Sequence, residues 1–301
     1  MMDKLGSGGG FGIIIIILLL VGAVYFSDDI KGFAGIDDPV DQPTTTRTNY
    51  TASELVVVKP YNSIRVANWN LQVFGASKWQ DDDSRRYILD AVDDYDIIFI
   101  QDIREESGDA FDDLCAQTTG YNCIISSRAG RTSSKEQYGL LYTDDILILK
   151  VVDYNEHYIS DKDYWERPPL KVTFRKDDYV FTAYNIHVKP DDVELELVHL
   201  EALVSLESNL DTENVMILGD LNADGDYYDE EKIVSFTTWV WAIENDVDTT
   251  VADSDNTYDR IILNFNMEEE LLNTGVTSSI PASVSDHYII WADINYGGLE
   301  K

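Results

Sequence analysis

The sequence predicts an α/β fold in one domain of about 240 residues, built from layers of helix on sheet. Three observations carry the prediction. From Ile64 onward, apolar runs of strand length alternate with segments of helical period. Hydrophobic residues make up 44% of the chain and charged residues 26%, enough apolar material to offset the entropy of ordering. No segment recurs at a fixed period, which sets aside solenoids and propellers.

The first element in chain order is Phe11–Phe26, FGIIIIILLLVGAVYF, sixteen residues without a charge. It is too long for a strand and just short of the ~17–25 residues that span a bilayer. Tyr25-Phe26-Ser27 makes a poor cleavage site, so a membrane-anchoring hydrophobic helix stands slightly ahead of a removed signal peptide over residues 1–26. Lys4 before the run and Asp28-Asp29 after it favour a body outside the cell, anchored or secreted. Residues 27–62, with Pro39, Pro43 and Thr44-Thr45-Thr46, lack an apolar period and read as a linker.

The body, residues 63–297, opens on a strand at Ile64–Asn70. A helix at Ser84–Asp94 and a buried strand at Ile97–Ile100 follow. A short helix at Ala110–Gln117 precedes strands near Cys123–Ser126 and Tyr138–Tyr142. Val172–Phe174 and Val180–Ile186 form a hairpin about Lys176-Asp177-Asp178. Glu194–Leu210 reads as an amphipathic helix with Leu195, Val198, Ala202, Leu206 and Leu210 on its apolar stripe. Val215–Leu218 and Tyr288–Ile294 complete the strands.

Against 22 Lys and Arg stand 56 Asp and Glu, a formal charge of −34. That excludes a protein gripping nucleic acid through a broad basic face. It leaves room for an enzyme that meets a polyanion locally, through metal ions and a few cations. Self-repulsion of this size reads as a solubility adaptation to a saline setting, since no local acidic cluster marks a basic partner. Two cysteines, Cys115 and Cys123, allow one connectivity. An exported chain favours a disulfide between them, with two buried thiols as the alternative.

Polar residues at strand ends carry the chemistry. Asn68-Trp69-Asn70, Gln101-Asp102, Asn185-Ile186-His187, Gly219-Asp220-Leu221-Asn222 and Ser285-Asp286-His287 each adjoin an apolar strand. In layered α/β folds such ends converge on one pocket. Any one Asp there is ordinarily a turn or a helix cap. Together they hold carboxylates, amides and two of only four histidines, an inventory suited to a hard cation and to proton transfer. His199 reads as structural, within its helix, and His157 lies in a polar connection.

The segments IRVANWNLQVFG, YDIIFIQDIRE, GRTSSKEQYGLLY, WERPPLKVTF, NIHVKPDDVELEL, NVMILGDLNADGDYY, VDTTVADSDNTYDRII and SDHYIIWADI follow in this order. The ordered set resembles the endonuclease/exonuclease/phosphatase superfamily, nearest its pancreatic-type deoxyribonuclease I branch, from about Ile64 to Ile294. The resemblance implies a four-layered α/β/β/α sandwich of two packed mixed β-sheets, and metal-dependent hydrolysis of DNA. It implies that His187 and His287 are paired imidazoles, oriented by Glu136 and Asp259. We take His287–Asp259 as the base that activates water and His187–Glu136 as the donor to the leaving oxygen, with the reverse assignment as the alternative. Asp102, Asp220 and Asp286, with Asn70 and Asn222, form the metal and phosphate shell for Mg2+ or Mn2+. Arg104, Arg131 and Arg167 are implied DNA contacts.

Departures from the family pattern are also legible. Gln72 and Ser134 replace an arginine and a tyrosine that contact the minor groove, and Asp102 replaces the usual Glu. Gly225 and Asn256 stand where one family disulfide would be. A structural Ca2+ site is implied at Asp248, Thr250 and Ser254 or Asp255. A second Ca2+ loop keeps Asp163 but has Pro168 at a ligand position. DNA is thus the expected partner, with the membrane through the N-terminal segment, and a monomer without obligate protein partners. A phosphatase acting on lipid or inositol phosphates and an inactive tethered binding domain are the alternatives.

Overall fold

The computed structural model describes residues 57–156 and 164–297. The hydrophobic helix of residues 1–26, residues 27–56 of the linker, His157 and Asp163 lie outside the described residues. Among the described residues, no helix is long and apolar enough to cross a membrane.

The chain runs through β1 (Ser63–Phe74), α1 (Ala76–Gln80), α2 (Asp82–Val92), β2 (Ile97–Ile103), α3 (Asp109–Gln117), β3 (Tyr121–Ile125) and β4 (Gln137–Thr143). It continues as β5 (Leu147–Asp153), β6 (Leu170–Lys176), β7 (Tyr179–Asn185), α4 (Val193–Glu207) and β8 (Asn214–Asp220). β9 (Val240–Trp241), β10 (Asp259–Leu263), α5 (Phe265–Glu268), β11 (Leu271–Thr277) and β12 (Ile289–Asn295) close it. Two six-stranded sheets result, ordered β11-β12-β1-β2-β4-β3 and β5-β6-β7-β8-β10-β9. Each has one parallel pair, β1–β2 and β7–β8, among antiparallel neighbours.

Side-chain alternation stacks the layers. In β2, Ile97 and Phe99 point between the sheets, against Val66, Phe174, Ala183 and Met216. Ile98 and Ile100 point outward, onto Ile88 and Val92 of α2 and Phe111 and Leu114 of α3. A strand buried on both faces therefore reads as a continuous apolar run. On the far side, Tyr184, Ile217 and Ile262 meet Leu197, Leu200 and Val204 of α4. The architecture is the four-layered α/β/β/α sandwich implied by the resemblance.

Local details differ from the sequence reading. The α2 helix starts earlier than Ser84, because the Asp81 side chain accepts the Ser84 N–H at 2.8 Å and caps it. In α4 the predicted stripe faces outward. Val193, Glu196, Leu197, Leu200, Leu203 and Val204 are buried, while Leu206 is 75% exposed. Both faces of α4 are apolar, and the buried one hides a polar residue, so period alone picks the wrong side. Glu196 is satisfied there by the backbone N–H groups of Glu166 (2.6 Å) and Lys189 (3.0 Å). Cys115 and Cys123 are joined as a disulfide between α3 and β3.

Behind β10 lies the buried guanidinium of Arg260, which donates to Ile243 O and Ala223 O at 3.0 Å and to Asn245 Oδ1 at 3.1 Å. Glu230 lies 3.4 Å from it. Burial, and then the hydrogen bond and charge of Asp224, push the Glu230 carboxyl up to about 7. The folded state therefore binds a proton that the unfolded chain releases, and stability falls as pH rises from about 4.5 to about 7. Glu230→Gln is expected to flatten that slope in unfolding midpoints measured across this range. An unchanged slope would contradict the assignment.

Candidate active site

Five strands deliver the site at one edge of the sandwich. β1 carries Asn70 where its ladder with β2 loses register, β2 and β8 end near Asp102 and Asp220, and β7 runs on to His187. β10 sets Asp259 opposite Asp220 in register. The segment entering β12 brings Asp286 and His287, and Glu136 precedes β4 across from Ala129. Asn70, Asp102, Glu136, His187, Asp220, Asn222 and Asp259 are all buried.

Beneath them the two sheets are bolted by three buried amides. Asn68 Nδ2 donates to Gln101 Oε1 (3.3 Å), Gln101 Nε2 to Asn185 Oδ1 (3.2 Å), and Asn185 Nδ2 to Asn68 Oδ1 (2.7 Å). Gln101 Oε1 also accepts the Asp220 N–H at 2.9 Å, so the ring holds the strand end that carries the central carboxylate. A closed set of this kind satisfies its members and specifies one arrangement. Gly219 makes room for it: an added Cβ would lie 2.0 Å from Ile186 O and 2.7 Å from Gln101 Nε2.

Asp220 Oδ2 is the focus. Asn70 Nδ2 donates to it at 2.9 Å, His187 Nε2 lies 3.3 Å away and His287 Nε2 3.6 Å away. Each imidazole is held from behind by its own carboxylate, His187 Nδ1 to Glu136 Oε1 at 2.9 Å and His287 Nδ1 to Asp259 Oδ2 at 2.7 Å. Backing of this kind fixes ring orientation and leaves both Nε2 atoms facing the same space. Burial alone would push the His287 imidazole down, but Asp259 and Asp220 raise it to about 10. Burial likewise opposes the charge on Glu136, yet His187 and Arg167 bring its carboxyl down to about 2. Asp220 also lies below its ordinary value, because both imidazoles outweigh its burial. Asp259 lies above its own, chiefly through burial. Because Asp259 faces His287 across a 2.7 Å hydrogen bond, we place the proton on the imidazole.

Backbone strain gathers here. Gln72, Val73, Asp102 and Asn222 have φ values of 35°, 58°, 63° and 49°, in the left-handed region that non-glycine residues seldom adopt. Such conformations persist where surrounding contacts over-determine them.

The donor set fits a divalent cation. Asp102, Glu136 and His187 form one group with mutually close ligand atoms, and Asp220, Asp259 and His287 form another. Carboxylate and amide oxygens of this density suit a hard ion. Glu136 thereby joins the potential ligands, besides backing His187. Asp286 sits at the exposed rim, with Oδ1 3.9 Å from His287 Nε2 and Oδ2 accepting from Gln72 Nε2 at 2.7 Å. Asn222 donates from Nδ2 to Val188 O at 2.9 Å, and its N–H reaches Asp220 Oδ1.

The implied arginine contacts divide. Arg167 is 4% exposed, and donates to His187 O (3.0 Å), Val188 O (3.3 Å) and Glu136 Oε2 (3.3 Å). It braces the His187–Glu136 pair from within, and the Glu136 carboxylate at 3.3 Å offsets its buried charge. Arg104 and Arg131 keep more surface, Arg104 donating to Asp102 and Arg131 lying 3.8 Å from Glu166. In the implied Ca2+ loop, Asp248 Oδ1 accepts from Thr250 N–H at 3.0 Å, and Thr250 Oγ1 reaches Ser254 O at 3.0 Å. Thr250 bridges His287 in antiparallel fashion, so this loop braces the histidine. Pro168 is buried. Sequence reasoning missed the Tyr138 hydroxyl, which accepts the His187 N–H at 3.1 Å, and Lys78, for which no motif gave a signal.

A family model described as the Endonuclease/Exonuclease/phosphatase family matches residues 67–287. Mouse deoxyribonuclease gamma is 28% identical over 237 residues, covering 72% of this chain and 75% of the relative. Chicken deoxyribonuclease-1 is 28% identical over 218 residues, covering 66% and 77%. Among solved structures, the mannosyl-6-phosphatase of Bacteroides thetaiotaomicron shares the fold at a TM-score of 0.58 and 18% identity, over 76% of this chain and 98% of that one.

Proposed function

Because the chain belongs to the Endonuclease/Exonuclease/phosphatase family, we propose that it is a metal-dependent endonuclease hydrolysing the phosphodiester bonds of DNA. The observation that carries this reading is the single oxygen, Asp220 Oδ2, approached by two imidazole Nε2 atoms that are each backed by a separate buried carboxylate. Similarity to deoxyribonucleases of the gamma and type 1 classes supports DNA over other phosphate esters.

In this scheme His287, steadied by Asp259, takes a proton from the attacking water. His187, steadied by Glu136 and Arg167, gives one to the leaving oxygen. Asn70 and Asn222 would offer amides to the phosphoryl oxygens, and both imidazole Nε2 atoms, 3.3 Å and 3.6 Å from Asp220 Oδ2, would address one phosphorus. Mg2+ or Mn2+ on Asp102, Asp220 and Asp286 would neutralise phosphoryl charge and offset the Asp220 share of the negative charge that, with the larger share from Asp259, holds a proton on His287; that proton must leave before His287 accepts one from water. Ca2+ at Asp248, Thr250 and Ser254 would stiffen the segment that bridges His287. Arg104 and Arg131 are the proposed DNA contacts at the rim.

Every group in the scheme comes from one chain, so a monomer suffices. We place the body outside the cell, anchored or secreted. Cleavage of the body by protease added to intact cells checks this, and full protection would oppose it. The substrate is tested by offering plasmid, single-stranded DNA, RNA and a phosphoinositide side by side with Mg2+. DNA cleavage is the expected result. Phosphate release from the lipid alone would point to the phosphatase reading, and no turnover of any substrate to an inactive binding domain.

A further inference from the structure

We propose that Lys78 is a positioning residue that locks the metal-facing loops of the site together. It lies in α1 and contacts none of the reacting groups. Its ammonium donates to Leu71 O at 2.7 Å, to Gln72 O at 2.5 Å and to Val284 O, so all three of its donors go to backbone carbonyls.

Those carbonyls belong to two different segments. Leu71 and Gln72 lie where β1 leaves register with β2, between Asn70 and Phe74, and where Gln72 and Val73 take left-handed backbone. A carbonyl turned out of a ladder and half-buried needs another donor. Val284 lies in the turn that leads into Ser285, Asp286 and His287. One ammonium therefore ties the strained turn to the loop that carries the rim carboxylate and an imidazole.

The stitched segments hold the site from both sides. The turn places Asn70 Nδ2 on Asp220, and the Val73 N–H donates to Asp102 Oδ2 at 2.6 Å. The loop is tied back by Ser285 Oγ to Asn70 O (2.6 Å) and by Gln72 Nε2 to Asp286 Oδ2 (2.7 Å). These side-chain links work only while the two backbones stay in register with one another, and Lys78 is the group that fixes both. Arginine would not substitute, since a planar fork does not converge on three carbonyls as an ammonium does.

The proposal rests on the nuclease reading for its kinetic arm, whereas its binding arm does not. The test uses the full chain, with Mn2+ alone as the binding probe in titration calorimetry and plasmid cleavage as the rate assay. Lys78→Met is expected to weaken Mn2+ binding and lower kcat, each by about tenfold, with KM for DNA nearly unchanged. Adding Val73→Gly, which removes the left-handed penalty at that position, is expected to restore part of both losses. Lys78→Gln, which keeps two donors, gives an intermediate loss and serves if the Met variant does not fold. A folded Lys78→Gln or Lys78→Met protein with wild-type Mn2+ affinity overturns the proposal, as does a failure of Val73→Gly to restore any binding. If wild type binds Mn2+ but cleaves no DNA, the nuclease reading fails while the binding arm still decides the role of Lys78.

Discussion

His287→Ala is expected to lower kcat for DNA cleavage by about 10³-fold, within the range that a positioned acid or base contributes. The loss arises because His287 Nε2 shares the space above Asp220 Oδ2 with His187 and no other titratable nitrogen faces it from that side among the described residues. Its backbone would stay in place, since the residue 287 N–H still donates to Ser285 Oγ and its carbonyl still accepts from Trp69 Nε1. Folding is therefore expected to survive, and a thermal melt separates lost chemistry from lost structure. Asp259→Asn should cost less, because the imidazole remains while its orientation and proton affinity change. Initial rates on plasmid at saturating Mg2+ measure both. If His287→Ala cleaves at the wild-type rate, the two-imidazole scheme is wrong.

Gly219→Ala is expected to destabilise the domain by about 3 kcal/mol or more, the upper range for an added methyl in a packed and conformationally restricted position. Gly219 has φ 151°, and its new methyl would stand 2.0 Å from Ile186 O, a contact only backbone movement relieves. The second neighbour, Gln101 Nε2 at 2.7 Å, belongs to the amide ring that joins the sheets. Denaturant unfolding reads the effect. A stability within about 1 kcal/mol of wild type would show that the close approach of β7 and β8 ends is not required.

Much of this was legible in the sequence because the features are local. A strand buried on both faces must be apolar throughout, so Ile97–Ile100 announces itself, and GDLNAD places Asp220 and Asn222 at the end of the next such strand. The pairing of His187 with Glu136 and of His287 with Asp259 came from the family resemblance, and the geometry brings each pair together. The strands β5, β9, β10 and β11 were not legible. β5 exposes Leu147, Leu149 and Val151 at a sheet edge, β9 has two residues, and β11 carries Gly275 amid polar residues. The burial of Arg167 was not legible, because burial depends on which loops close over a residue, and WERPP gives no sign that Glu136 waits beneath. The α4 stripe was misread because Glu196 lies on the buried side. Lys78 is spaced six and seven residues from the carbonyls it serves in β1, and far from Val284, so no sequence pattern joins them.

The central claim is that buried imidazoles and carboxylates converge on Asp220 to hydrolyse DNA with a divalent cation. Conversion of supercoiled plasmid to nicked and then linear forms by the full chain tests it most directly, with Mg2+ present, removed by chelator and restored. The account predicts cleavage that stops on chelation, returns with Mg2+ or Mn2+, and falls to background in Asp220→Asn. A folded wild-type protein that leaves plasmid intact under every divalent-ion condition would contradict it, as would Asp220→Asn cutting at the wild-type rate.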